Sequence, residues 1–180
     1  EEYQRRIEKL HQLPGIWLSG DYSSATDGLH SDLFQKGVKE LIQALRLAGV
    51  QEEYLDLIER EASPHICEYP MDIPEAVQTN GQLMGSLLSF PFLSLINAFT
   101  VFMAEGKNME DIDNALIHGD DLCWRTTETS IQKWKEFCPQ IGFELSLGKN
   151  YSSPDWVSID SQVFWHGQRL NTGKYACYHG

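Results

Sequence analysis

The sequence predicts an α+β fold, an antiparallel sheet backed by helices in a split βαβ arrangement. Three observations carry that expectation. Two short apolar runs that read as strands meet aspartate, one at Ile16–Asp21 and one within Ala115–Trp124, where Gly119-Asp120-Asp121 interrupts the hydrophobics as a hairpin turn. Between them lie apolar residues at helical spacing, and a further helix and strand follow the hairpin. The 180 residues, 42% of them hydrophobic, suffice for one globular domain with its own core, so 1-180 reads as a single unit without repeats or low-complexity tracts.

The elements follow in order. Glu1 to Leu10 reads as a helix, and Ile16-Trp17-Leu18-Ser19 as a strand ending at Gly20-Asp21, followed by the hydroxyl-rich Tyr22-Ser23-Ser24-Ala25-Thr26-Asp27. Leu33, Phe34, Val38, Leu41, Ile42 and Leu45 recur at helical spacing after Ser31, a candidate cap, and stop at Gly49. Glu52 to Glu61 is a second amphipathic helix, with Tyr54, Leu55 and Ile58 on one face and a solvated acidic face opposite. Pro64, Pro70 and Pro74 break the next stretch into short extended pieces, of which His65 to Tyr69 is a candidate strand. Leu83 to Ala104 carries no charge and is long enough to span a bilayer. Its Ser86, Ser89, Pro91, Ser94, Asn97 and Thr100 make a poor lipid-facing surface, so a buried helix is expected instead. A connection through Met109 to Asp113 leads into the hairpin, Thr129 to Phe137 is a helix ending near Pro139, and Val163 to Leu170 is either an arm of a late hairpin or an edge strand.

Composition limits the chemistry. Fourteen Lys and Arg against twenty-six Asp and Glu give a net charge of −12, which on its own counts against binding a nucleic-acid backbone. Cys67, Cys123, Cys138 and Cys177 form no Cys-x-x-Cys pair, which favours inert thiols in a reducing compartment over disulfides or structural zinc. No pair among the six histidines has zinc-ligand spacing, His118 reads as a packing residue, and no secretory leader is visible.

The chemistry concentrates at two places. Asp120 and Asp121 are adjacent with no Lys or Arg until Arg125, and such a pair repels itself unless a cation sits among its oxygens. An ordinary Asp-rich turn is the alternative. If the Asp21 strand neighbours the hairpin, Asp21 and Asp120 converge and can ligate a hard divalent cation through oxygen, as magnesium prefers.

Four blocks in this order resemble the motifs of viral RNA-dependent RNA polymerases, in particular the ourmiavirus-like and narnavirus-like branch related to the RNA phage replicases. Gly20-Asp21-Tyr22-Ser23-Ser24-Ala25-Thr26-Asp27 is similar to motif A, and Gly81-Gln82-Leu83-Met84-Gly85-Ser86-Leu87-Leu88-Ser89-Phe90-Pro91 to motif B. His118-Gly119-Asp120-Asp121 is similar to motif C, and Lys149 to the motif D lysine. Together they cover about Trp17 to Arg169.

The resemblance implies a polymerase palm with an RRM/ferredoxin-like core. It implies template-directed nucleotidyl transfer with two Mg²⁺, replaceable by Mn²⁺, at Asp21, Asp120 and Asp121, and with Lys149 as general acid. Asp27 is then expected at the ribose 2′-hydroxyl, and Gly85, Ser86, Ser89 and Asn97 around the nucleotide, with Gly85 as the hinge of the loop. Leu93 stands where the pattern Ser-Gly-x-x-x-Thr-x-x-x-Asn would put asparagine, and Asn97 falls a helical turn later. RNA template, nascent RNA and nucleoside triphosphates are the implied partners, in the host cytoplasm or, for a mitovirus-like protein, the mitochondrion. The resemblance also implies fingers and thumb that bring the basic residues this acidic chain lacks, so the isolated chain is expected to polymerise nothing. Two alternatives stay open. A reverse-transcriptase-type palm is disfavoured by His118-Gly119, and a non-catalytic acidic interaction module leaves the paired strand-end aspartates unexplained.

Overall fold

A computed structural model describes residues 2–106 and 112–170. In chain order they form α1 (Glu2–His11), β1 (Ile16–Gly20), β2 (Tyr22–Ser23), α2 (Ala25–Gly28), α3 (Ser31–Leu47), α4 (Glu52–Glu61), β3 (Ile66–Cys67), β4 (Ala76–Val77) and α5 (Ser89–Glu105). There follow β5 (Ala115–His118), β6 (Asp121–Thr126), α6 (Glu128–Phe137), a 3₁₀ turn at Cys138–Ile141, β7 (Glu144–Leu145), β8 (Tyr151–Ser153), β9 (Trp156–Ile159), β10 (Gln162–Trp165) and β11 (Gln168–Arg169). Cys177 and the Met109 part of the connection before β5 lie outside the described residues.

The central sheet has the order β5-β6-β1-β8 with every neighbouring pair antiparallel. In chain order its strands come as second, third, first and fourth, which is the split βαβ topology the sequence predicts. β1 and β6 sit at its centre and are buried on both faces, so Ile16-Trp17-Leu18 and Leu122-Cys123-Trp124 are consecutive apolar residues instead of alternating ones. Leu18, Leu122 and Trp124 face a core built with α3, α5 and α6. Trp17, Leu116 and Cys123 point the other way, into a second core closed by Ile7 and Leu10 of α1 and by Val157, Ile159 and Phe164 of the β9-β10-β11 meander. The segment from Val163 is thus the middle strand of a small sheet and pairs with β11 as a hairpin.

Three local details differ from the sequence reading, each for a physical reason. Ser31 is the first residue of α3 and not its cap: Asn80 reaches across to accept the Ser31 N–H at 3.2 Å. The far end behaves as expected, with Gly49 at φ +84° and the N–H groups of Gly49 and Val50 closing on the carbonyls of Arg46 and Leu45. The apolar run from Leu83 becomes helical only at Ser89, which puts Pro91 in the first turn, where its missing N–H is harmless. Of the stretch His65 to Tyr69, only Ile66 and Cys67 pair, with Val77 and Ala76. Among the described residues no helix is long and apolar enough to cross a membrane.

Candidate active site

β1 and β6 pair from Ile16↔Thr126 to Gly20↔Leu122, and the register carried one step further sets Asp21 opposite Asp121. Facing residues of an antiparallel ladder lie about 5 Å apart at Cα. About a hundred residues of intervening chain therefore do not separate the two carboxylates in space. Alternation along the strands gives both the same side: Asp21 follows Trp17 and Ser19, and Asp121 precedes Cys123.

The hairpin turn is tighter than the tripeptide suggests. His118 pairs with Asp121, so only Gly119 and Asp120 form the loop and Asp121 already belongs to β6. Gly119 has φ +63°, which glycine takes at no steric cost and which two-residue hairpins require at this position. Helix α5 straps the turn from below. Ser94 Oγ accepts the Gly119 N–H at 3.0 Å, and Asn97 Nδ2 donates to the carbonyls of Gly119 and Asp120 at 3.0 and 3.1 Å. The Asn97 Oδ1 accepts the Tyr22 hydroxyl at 2.8 Å, and that hydroxyl accepts Trp134 Nε1–H at 3.2 Å. Burial pushes the Tyr22 hydroxyl well above its usual range, so it stays a donor. One buried amide thus ties the residue after Asp21 to the turn that carries Asp120.

Asp21 is held by its backbone. Its N–H donates to Asn150 Oδ1 at 2.9 Å, while its carbonyl accepts Asn150 Nδ2–H at 3.0 Å and the Ser146 N–H at 3.1 Å. The clasp also delivers the neighbouring residue: Lys149 Nζ stands 3.3 Å from Asp21 Oδ2. That oxygen is buried and accepts no hydrogen bond, the ammonium contact being an ion pair without hydrogen-bond geometry. The Asp121 carboxyl is raised from its ordinary value, chiefly by burial and further by repulsion from Asp120 and Asp160, against the opposing pull of the Asp160 N–H, which it accepts at 3.1 Å.

An orphaned buried oxygen on Asp21 and the close approach of like-charged carboxylates around Asp121 both fit a divalent cation, and the donors are all oxygen, as Mg²⁺ requires. Among the described residues no three or more His, Cys, Asp or Glu side chains stand as a ready-made metal cage.

The residues expected around a nucleotide divide into two sets. Asp27 is exposed on α2, Gly85 is exposed, and Ser86 is half-buried beside Glu61, whose carboxyl it helps to lower. Ser89 and Asn97 are buried on the sheet side of α5, and Asn97, expected near a ribose, spends both ends of its amide inside the protein. Gly85 has no atom within 4 Å of where a Cβ would stand. Gly81 is the glycine that the backbone demands, with φ +67° and a Cβ position 2.5 Å from the Thr26 carbonyl oxygen. Sequence reasoning missed Asn150, Ser94 as a strap, and Asp160. The signal for Asn150 was its place beside Lys149 after a turn glycine, and for Asp160 the Asp-Ser pair between two short apolar runs.

No family model matches the chain. It is 32% identical over 162 residues to the RNA-dependent RNA polymerase of Ourmia melon virus (isolate Melon/Iran/VE9), covering 82% of this chain and 19% of that protein. In fold it is similar to the RNA-dependent RNA polymerase of a human picorbirnavirus, with a TM-score of 0.67 at 19% identity over 94% of this chain and 33% of that one. The insertion loop deletion mutant of that polymerase gives a TM-score of 0.69, also at 19% identity, over 93% and 34%. The chain therefore spans about a fifth of the curated relative and a third of the solved chains.

Proposed function

With a chain that belongs among the viral RNA-dependent RNA polymerases as the premise, we propose that residues 1-180 are the palm of such an enzyme and carry the groups for template-directed RNA synthesis. The observation that carries this reading is the meeting of Asp21 with the Asp120-Asp121 hairpin at one end of the two central strands, with a buried, unbonded carboxylate oxygen at the junction.

In this reading Asp21, Asp120 and Asp121 hold two Mg²⁺, or Mn²⁺ in their place. Such a pair, when bound, supplies a primer 3′-hydroxyl of lowered pKa and a neutralised triphosphate. The chain's own groups do the rest. Lys149, within ion-pair distance of Asp21, keeps a proton at Nζ for the leaving pyrophosphate oxygen. Asp27, whose side chain has no hydrogen bond among the described residues, offers its carboxylate to the ribose 2′-hydroxyl, a group that only a ribonucleotide brings. Gly85 and Ser86 border the nucleotide from the loop ahead of α5, with Ser89 at the start of the helix as the support of that loop. Asn97 serves the nucleotide indirectly, by fixing the turn beneath it. RNA template and product, whose phosphates a chain of charge −12 cannot neutralise, meet basic fingers and thumb of the same polymerase.

The test is single-nucleotide incorporation on a primed template by the polymerase containing this chain, wild type against Lys149→Ala and Asp120→Asn. Asp120→Asn abolishes incorporation, and Lys149→Ala slows it about tenfold or more while leaving nucleotide KM nearly unchanged, since general acid catalysis contributes at the transition state. Full activity of Asp120→Asn contradicts the reading.

A further inference from the structure

Nothing in motifs A to D accounts for the turn between β9 and β10, yet it touches the candidate site more intimately than some motif residues do. Asp160 and Ser161 occupy this turn with φ +49° and +58°, and pair positions Ile159 and Gln162 close a two-residue hairpin around them. Both φ values are those of a type I′ turn, for which aspartate is among the tolerated residues. The backbone N–H of Asp160 donates to Asp121 Oδ2 at 3.1 Å. The Asp160 carboxylate is itself gripped at both oxygens, by the Tyr3 hydroxyl of α1 at 2.5 Å and by His118 Nδ1 of β5 at 2.7 Å. Helix α1, the β5–β6 hairpin and the β9–β10 turn, remote from one another in sequence, thus converge on a single residue. Next to it, Ser19 Oγ on β1 accepts the Ser158 N–H at 2.8 Å, so the meander is docked onto the end of the strand that leads to Asp21.

We propose that Asp160 is a positioning residue for the cation site: its N–H fixes Asp121 Oδ2, and its carboxylate anchors the turn to His118 and Tyr3. The inference rests on the polymerase reading of Asp21, Asp120 and Asp121. It extends that reading to a residue beyond the lysine block and to α1 ahead of the first strand. A metal-ligating carboxylate is commonly oriented by a hydrogen bond to its other oxygen, and loss of such an outer partner typically weakens metal affinity about ten- to a hundredfold. An Asp160 whose only task were to shape the turn would leave that affinity alone.

Mn²⁺ serves as the probe, its binding to this chain followed by electron paramagnetic resonance, with melting temperature measured on the same samples. The informative variant is Asp160→Gly, because glycine takes the positive φ without strain and keeps the N–H while removing both side-chain anchors. Mn²⁺ affinity is expected to fall about tenfold. Asp160→Asn, which also accepts positive φ and can still hydrogen-bond Tyr3 or His118, restores most of it. Tyr3→Phe, which removes one anchor far from the metal, weakens Mn²⁺ binding in the same direction by a smaller factor. If Asp160→Gly does not fold, Tyr3→Phe decides: unchanged Mn²⁺ affinity in a folded Tyr3→Phe overturns the proposal. Unchanged Mn²⁺ affinity in a folded Asp160→Gly, with Asp120→Asn still abolishing binding, overturns the role of Asp160 and leaves the site itself standing. No Mn²⁺ binding by the wild-type chain overturns both.

Discussion

Two loops meet helix α5, one against its middle and one at its start, and they are built in opposite ways. The Gly119-Asp120 turn is strapped by Ser94 and Asn97 from α5, while Asp160 holds the carboxylate at its edge. The loop that leads into the same helix, residues 83–88, leaves Met84 and Leu87 more than four-fifths exposed and Gly85 in open space. Its described anchors are few, chiefly Glu61 accepting the Leu87 N–H at 3.0 Å. One helix thus presents a buried polar face to the carboxylates and a loosely tied end to the solvent side. The contrast matches the chemistry proposed for each: acidic groups that share a cation must be held within fractions of an ångström, whereas a loop bordering an incoming nucleotide has to admit and release it.

The largest effect should come from breaking the rigid side. Asn97→Ala leaves a buried and a part-buried carbonyl without their donor and removes the acceptor of the Tyr22 hydroxyl, and each loss at a buried group costs about 1–3 kcal/mol. Chemical denaturation should show a loss of several kcal/mol, and a full-length polymerase carrying the change should lose kcat more than it gains KM. A stability loss under about 1 kcal/mol would mean that the strap is ornamental.

Two glycines ahead of α5, the packed Gly81 before the loop and the open Gly85 within it, sharpen the comparison. Gly81→Ala forces a Cβ against the Thr26 and Asp27 carbonyls at φ +67°, a left-handed backbone that costs a side chain about 1–2 kcal/mol before the clash is counted. Gly85→Ala meets nothing, so its stability should change by less than about 0.5 kcal/mol. If Gly85 is the hinge, the same variant raises nucleotide KM. Thermal melts and steady-state kinetics on the pair separate the glycine that the fold needs from the one that function needs.

Much of this was legible in the sequence. The strands around Asp21 and the hairpin, the extent of α4 and the close of α3 at Gly49 followed from periodicity and local turn chemistry, which act over a few residues. Which side of α5 faces the sheet was not, because the helix is apolar nearly all round and no polar stripe marks its outer face. Asn97 therefore looked like a ligand one turn out of place and proved to be a buried strap. Asp160 could be read as a turn residue, but its role was illegible for another reason: its partners lie thirty-nine and forty-two residues away along the chain at Asp121 and His118, and 157 away at Tyr3. Only the docking of the meander onto the sheet brings them together.

Smaller effects test the exposed groups. Asp27→Ala should leave stability nearly unchanged and reduce ribonucleotide incorporation selectively, because a hydrogen bond to a charged acceptor is worth roughly 1.5–3 kcal/mol, about a tenfold to hundredfold loss of sugar discrimination. Parallel losses with deoxyribonucleotides would assign Asp27 to the helix instead. Least of all, the Tyr3 phenol is pushed up to about 12, first by burial and then by its hydrogen bond to Asp160. Its folded pKa lies above the unfolded value near 10, so this contribution to stability is complete below about pH 10 and disappears as pH rises through 12. Tyr3→Phe should flatten that alkaline decline, and an identical decline in both proteins would show that the bond contributes nothing.

The central claim is that Asp21 and the Asp120-Asp121 hairpin act as one cation-holding centre, and single-turnover incorporation of one ribonucleotide by the polymerase containing this chain tests it most directly. Asp21→Asn and Asp120→Asn are each predicted to slow the step by at least about a hundredfold, the scale on which loss of one preorganised charge-stabilising group is felt, with RNA binding unchanged. The double variant should be little worse than either alone, because residues acting as a unit are not additive. A near-wild-type rate in either single variant, with RNA still bound, would contradict the account.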